Sequence, residues 1–128
     1  MMKEQIQAYV DSIRGEILDL SHKIHKNPEL GFEEYRAVGF VSELLAAHGY
    51  EARKGYCGIP TAFRADAGSA DGPTVAFLAE YDALNGIGHG CGHNIIAACA
   101  AGAFLALASV VGKCGGRVSL IGTPAEEG

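Results

Sequence analysis

Two carboxylates, two histidines and a cysteine fall within the stretch Glu80-Tyr81-Asp82-Ala83-Leu84-Asn85-Gly86-Ile87-Gly88-His89-Gly90-Cys91-Gly92-His93-Asn94, with glycines at alternate positions through its second half. Cys91 and His93 offer a thiolate and an imidazole one residue apart, both good ligands for zinc and related transition ions. The glycines let the backbone pass close to an ion in conformations other residues avoid. Further on, Glu126 and Glu127 form an adjacent carboxylate pair. Such a pair suits a division of labour. One carboxylate binds metal while the other takes a proton from a water whose pKa the metal has lowered to ~7. Asp82 is placed to orient a ligand from behind. His89 reads as a substrate contact or a loop residue rather than a ligand.

Each of these residues also has a plainer reading. Cys91 is explained as a small buried side chain, His93 and Asn94 as helix caps, and Glu126-Glu127 as a solvated end. A phosphate site at a helix N-terminus is the rival for the glycine loop. Its G-x-G-x-G-x-G spacing is neither the dinucleotide fingerprint nor a Walker motif, and the surrounding carboxylates repel phosphate. A cysteine nucleophile using Cys91 and His93 is disfavoured, because side chains two apart rarely form the required hydrogen-bonded pair.

The metal reading needs elements that bring 80–93 and 126–127 together. Thr74 to Ala79 is continuous and apolar, as expected of a strand covered on both faces. Ile95 to Val111 carries no charge and reads as a buried helix, broken by Gly115-Gly116. Arg117 to Ile121 is another short strand. Strand, helix and strand make a β-α-β unit with parallel strands, so both strands end at one sheet edge, where ligands bind in open α/β sheets. Upstream, residues 3–26 are predicted as one amphipathic helix from the spacing of Ile6, Val10, Ile13, Ile17, Leu20 and Ile24, ended by Asn27-Pro28. His22 and His25 near its end are read as favoured by the helix C-terminus rather than as ligands. A second helix is predicted over Glu33–His48, with acids in its first turn and Gly49 at its C-terminal end. Tyr50–Tyr56 and Thr61–Asp66 read as short strands, with 67–73 as a hairpin loop leading into 74–79.

Composition limits the alternatives. A chain of 128 residues with 48% hydrophobic content makes one domain with a real core. A net charge of -5 argues against nucleic-acid or anionic-membrane partners. The Ile95–Val111 run falls short of the ~18–20 residues of a membrane span. The start, MMKEQIQAYVDS, lacks the apolar core of a secretory signal, which points to the cytoplasm. There Cys57, Cys91, Cys99 and Cys114 are expected to be reduced, with Cys99 and Cys114 serving as packing.

Four segments carry a resemblance: His25-Lys26-Asn27-Pro28-Glu29-Leu30-Gly31-Phe32-Glu33-Glu34, Ala79-Glu80-Tyr81-Asp82-Ala83-Leu84, Gly88-His89-Gly90-Cys91-Gly92-His93-Asn94, and Gly122-Thr123-Pro124-Ala125-Glu126-Glu127-Gly128. In this order they resemble the amino-terminal part of the aminoacylase and carboxypeptidase-like zinc metallopeptidases, in the amidohydrolase branch of hippurate, indole-acetyl-amino-acid and aminobenzoyl-glutamate hydrolases. The resemblance implies a three-layer α/β/α catalytic domain, here truncated after its first β-α-β metal-site unit, with residues 1–128 its amino-terminal part and no second domain. It implies two divalent ions, zinc or manganese, and cleavage of N-acyl amino acids or small dipeptide-like molecules. It makes Cys91, His93 and Glu127 metal ligands, Glu126 the general base and Asp82 the supporting aspartate. Asn94 stands where many members have Asp, and Asn85 where many have Pro. Three ligands do not complete two metal shells, so the expectation is a fragment inactive or weak by itself, with homo-oligomerisation left open through an unpaired edge on the last strand. The competing expectation is a non-enzymic metal-binding or self-associating module.

Overall fold

The computed structural model describes all residues from Met1 to Gly128. Helices α1 (Met2–Ser12), α2 (Arg14–Lys26) and α3 (Tyr35–Ala47) come first. Strand β1 (Arg53–Lys54), a short turn of helix at Tyr56–Gly58, β2 (Phe63–Gly68), β3 (Thr74–Ala79), α4 (His93–Ala108), α5 (Val111–Cys114) and β4 (Arg117–Gly122) follow. The α/β class and the β3-α4-β4 unit stand as expected. β3 and β4 are parallel, with Ala79 beside Gly122 at their carboxyl ends.

Several local expectations are corrected. The first helix is broken at Ile13, whose ψ of 9° leaves the helical region. The Ser12 hydroxyl donates to the Tyr9 carbonyl at 2.6 Å, a local bond that competes with the helical ladder. The break turns Ile13 into the core, where it is 3% exposed. The second helix begins at Tyr35, and its first free N–H groups are capped from outside. The Glu29 carboxylate accepts from Arg36 N at 3.0 Å and Ala37 N at 2.9 Å, as an anion at a helix N-terminus should. Gly49 does follow α3 with a φ of 87°.

The sheet order is β1-β2-β4-β3, so β2 and β3 do not form a hairpin. β4 lies between them, antiparallel to β2 and parallel to β3. The 67–73 loop instead closes over Gly116. Ser69 N donates to Gly116 O at 2.8 Å, and Arg117 N donates to Pro73 O at 2.9 Å. Gly116 has a φ of 83°, and a Cβ there would meet the Pro73 carbonyl, so only glycine fits this approach. β4 is therefore central. The edge strands are β1 and β3, and β3 is not covered on both faces: Val75 is 50% and Leu78 55% exposed.

The core lies on one face of the sheet, where Phe63, Ala65, Val118 and Leu120 pack against Ala97, Ala101, Phe104 and Leu105 of α4 and against Ile24, Val41 and Leu45. The other face carries a polar cluster beside the exposed Leu78. Asp66 accepts hydrogen bonds from Arg53, Arg64 and Ser119. All four cysteines are free; Cys99 and Cys114 are exposed and so are not packing residues. No helix is long and apolar enough to cross a membrane.

Candidate metal centre

The site is built where β3 and β4 end together. Tyr81 is fully buried, stacks on Phe63 with ring centroids 6.0 Å apart, and donates its hydroxyl to the Thr61 carbonyl. Burial and the nearby carboxylates Glu34 and Asp82 push its hydroxyl pKa far above the usual tyrosine value. In extended backbone, neighbouring side chains point opposite ways. Anchoring Tyr81 in the core therefore directs Glu80 and Asp82 to the other side, toward the glycine loop. Gly92, with a φ of 85°, turns that loop directly into α4, so His93 is the first helical residue. From β4, Thr123 ties the chain back to β3 with N and Oγ1 both donating to Ala79 O, at 2.8 and 3.1 Å.

His93 is the focus. Its ring is 4% exposed. Nδ1 lies 2.9 Å from both the Asp82 carbonyl oxygen and Asp82 Oδ1; only the carbonyl has hydrogen-bond alignment, since Oδ1 is without a directed partner. Both are acceptors, so the proton sits on Nδ1 and the Nε2 lone pair faces outward. Around Nε2 stand Glu80 Oε2 at 3.1 Å, Glu126 Oε2 at 3.5 Å and Glu127 Oε1 at 3.7 Å. The donor atoms of Cys91, His93 and Glu127 all lie within 4.8 Å of one another, as do those of Glu80, His93 and Glu126. The Asp82 carboxylate also accepts from Glu127 N through Oδ2 at 3.0 Å, so one buried aspartate fixes both the imidazole and the Glu127 backbone.

A nitrogen lone pair facing three carboxylates is repulsive unless a cation lies between them. The only basic side chain paired with Glu80, Asp82, Glu126 or Glu127 is His93 itself. A proton on Nε2 would supply one charge and leave Cys91 idle. A divalent ion supplies two charges and uses the sulfur as well, and a thiolate, imidazole and carboxylate set is what zinc takes. The residues present therefore fit a divalent metal. Because both donor groups share His93, the chain offers one complete three-donor set and two further carboxylates.

All five sequence-derived residues, Asp82, Cys91, His93, Glu126 and Glu127, meet at this centre. Glu80, given no role from sequence, is the carboxylate nearest Nε2. The alternation through Tyr81 is the signal that could have found it. Glu34 escapes the sequence reading too. Its position suggests a first-turn helix acid, yet it is fully buried and Oε2 accepts from Ala125 N at 3.0 Å. Nothing in the sequence signals a contact between positions so far apart. Burial raises its carboxyl pKa, opposed by backbone donors including Ala125.

His89 joins neither donor group. It is 8% exposed, and neither ring nitrogen has a hydrogen-bond partner. Burial, then His25 and His93, lower its pKa. His22 and His25 stay outside both donor groups too. Gly92, not His93 or Asn94, occupies the helix cap. Asn94 crosses instead to α2, its Nδ2 donating to Ser21 Oγ at 3.0 Å.

No family model matches the sequence. Individual relatives do. The Xaa-Arg dipeptidase of Mus musculus is 39% identical over 99% of this chain and 32% of its own length. A p-aminobenzoyl-glutamate hydrolase from Escherichia coli is 31% identical over 93% of this chain and 28% of its own. Among solved structures, a dinuclear metal-binding peptidase of the M20 family from Bacillus subtilis superposes with a TM-score of 0.78 at 25% identity, over 94% of this chain and 36% of that one. The chain matches the amino-terminal portion of M20-family amidohydrolases and peptidases. It spans about a third of the length of the curated relatives it matches. The resemblance drawn from the four motifs is thereby confirmed. It also agrees with the named activities of the relatives, which include an N-acetyl-L-cysteine deacetylase of Bacillus subtilis at 28% identity.

Proposed function

We propose that these residues form the amino-terminal part of a metallopeptidase catalytic domain that hydrolyses amide bonds in N-acyl amino acids or dipeptide-like small molecules. The observation that carries the reading is the convergence of Cys91, Glu80, Glu126 and Glu127 on the outward nitrogen of His93. Cys91, His93 and Glu127 would hold one divalent ion, zinc or manganese, and Glu80 would offer a carboxylate to a second. When bound, such ions polarise the amide carbonyl and make water nucleophilic at neutral pH.

The residues themselves divide the remaining work. Glu126 is 48% exposed and lies 3.5 Å from His93 Nε2. It is close enough to the centre to take a proton from attacking water, yet open enough to pass it to the leaving amine. Glu127 is tethered through its backbone to Asp82, which suits a ligand that must not move. Asp82 holds the His93 proton on Nδ1 and keeps Nε2 free. The named substrates of the relatives, dipeptides, aminobenzoyl-glutamate and acylated amino acids, support small amide substrates. Four free thiols favour a reducing, cytoplasmic setting.

The test separates the two glutamates. Calorimetric titration with zinc or manganese should show binding that Glu127→Gln weakens and Glu126→Gln leaves nearly intact. Hydrolysis of N-acyl amino acids or dipeptides under the same metal should fall at least ~100-fold in Glu126→Gln, the usual scale of a lost general base. Equal and measurable rates in the wild type and Glu126→Gln, or no metal binding by the wild-type chain, would remove the assigned mechanism.

A further inference from the structure

We infer that Glu34 is a positioning residue that sets the direction of both Glu126 and Glu127 by holding Ala125 in a left-handed conformation. This inference rests on the metal-centre reading for its consequence, but its geometry stands by itself. β4 ends at Gly122, and Glu126 and Glu127 lie in a turn beyond it. Both reach His93 Nε2, at 3.5 and 3.7 Å. The chain enters that turn through Ala125, whose φ of 55° is left-handed. A non-glycine residue in that region is strained and persists only where its surroundings impose it.

Two residues of the α2–α3 connection impose it. Glu34 Oε2 accepts the Ala125 N–H at 3.0 Å, and the Glu34 side chain is fully buried. Gly31 leaves room for the Ala125 side chain, since a Cβ on Gly31 would lie 2.9 Å from Ala125 Cβ. The next backbone donor but one, Glu127 N, is taken by Asp82 Oδ2 at 3.0 Å. Two buried carboxylates from different parts of the chain therefore clamp the backbone on either side of Glu126, which has no other need to be ordered. Glu34 Oε1 is buried without a partner. The second oxygen is thus dispensable for the clamp, and glutamine can replace glutamate.

The experiment uses the intact chain and its Glu34→Gln, Glu34→Leu, Glu34→Asp and Gly31→Ala variants. Amide exchange of Ala125 and Glu127 is followed by NMR without metal, and cobalt titration is followed by absorption. Wild type and Glu34→Gln should protect the Ala125 amide and bind cobalt within threefold of each other. Glu34→Leu and Gly31→Ala should lose that protection and bind cobalt ~10–100-fold more weakly, the usual cost of removing a group that orients a metal ligand. Their thiolate-to-cobalt band should persist, because Cys91 lies on the other loop. Glu34→Asp, one methylene short, reports the same loss if Glu34→Leu does not fold. Unchanged Ala125 protection in Glu34→Leu or Glu34→Asp overturns the inference whatever the metal does. Absence of cobalt bands in the wild type instead overturns the metal-centre reading, and the exchange data still decide the role of Glu34.

Discussion

Replacing Asp82 by asparagine tests the metal centre, because it should change the metal-bound and metal-free proteins differently. Asp82 is 1% exposed; its Oδ2 accepts from Glu127 N at 3.0 Å, while its Oδ1, without a directed hydrogen bond, lies 2.9 Å from His93 Nδ1. Asparagine has one acceptor. Its NH2 must then face either the Glu127 N–H or the Nδ1–H, donor against donor. Hydrogen bonds to a charged group contribute ~1.5–3 kcal/mol, and at ~1.4 kcal/mol per decade that is a loss of ~10–100-fold in metal affinity. In the metal-free chain the same change removes one of four neighbouring negative charges, which offsets part of the lost hydrogen bonding. Its stability should therefore fall by less than the metal-loaded stability. Calorimetric zinc titration and thermal denaturation with and without zinc measure the two effects. Asp66→Asn is the matched control, with the same charge change in the polar cluster on the sheet. Affinity for zinc within twofold of wild type, or a loss no greater than in Asp66→Asn, would refute the reasoning.

Two further outcomes follow from the scaffold. Burial raises the Asp66 pKa, but the Ser119 hydrogen bond and then Arg64 outweigh it, so the folded value lies below the ordinary 3.8. The stabilisation is therefore present above pH ~3.8 and lost as pH falls through the lower folded value. Asp66→Asn should flatten the acid limb of a urea-denaturation series, and an unchanged limb would show that Asp66 does not drive it. Gly122→Ala should cost ~1–3 kcal/mol or more by overpacking, since its Cβ would strike the Phe63 ring and come within 2.6 Å of the Tyr81 hydroxyl. The loss should appear as a lower midpoint in chemical denaturation; a midpoint shift equivalent to under ~0.5 kcal/mol would mean that the aromatic pair yields freely.

Much of the β-α-β unit was legible because its cause is local. An uncharged run such as Ile95–Val111 has few stable options besides burial as a helix, and a short apolar run on each side reads as strand. Parallel pairing of those strands then brings 80–93 and 126–127 to one edge by connectivity alone. Non-local choices were not legible. An apolar strand such as Thr74–Ala79 fits a central or an edge position equally well, and only the insertion of β4 beside β2 decided that β3 is an edge. The break at Ile13 was hidden for a different reason: the apolar stripe through 6–24 continues across it, and the Ser12–Tyr9 bond that favours it has no signature in hydrophobic spacing.

The glutamates show the same division most clearly. By itself the sequence determined which residue types are present for metal chemistry and, through the strand-helix-strand pattern, that Cys91, His93, Glu126 and Glu127 share one edge. It did not determine what each acid does. Glu29 caps α3 while Glu34, five residues on, turns into the core to hold Ala125. Glu80 approaches the imidazole because Tyr81 faces the core. A carboxylate's role depends on which donors surround it, and those donors come from chain segments that only the tertiary fold brings within hydrogen-bond distance.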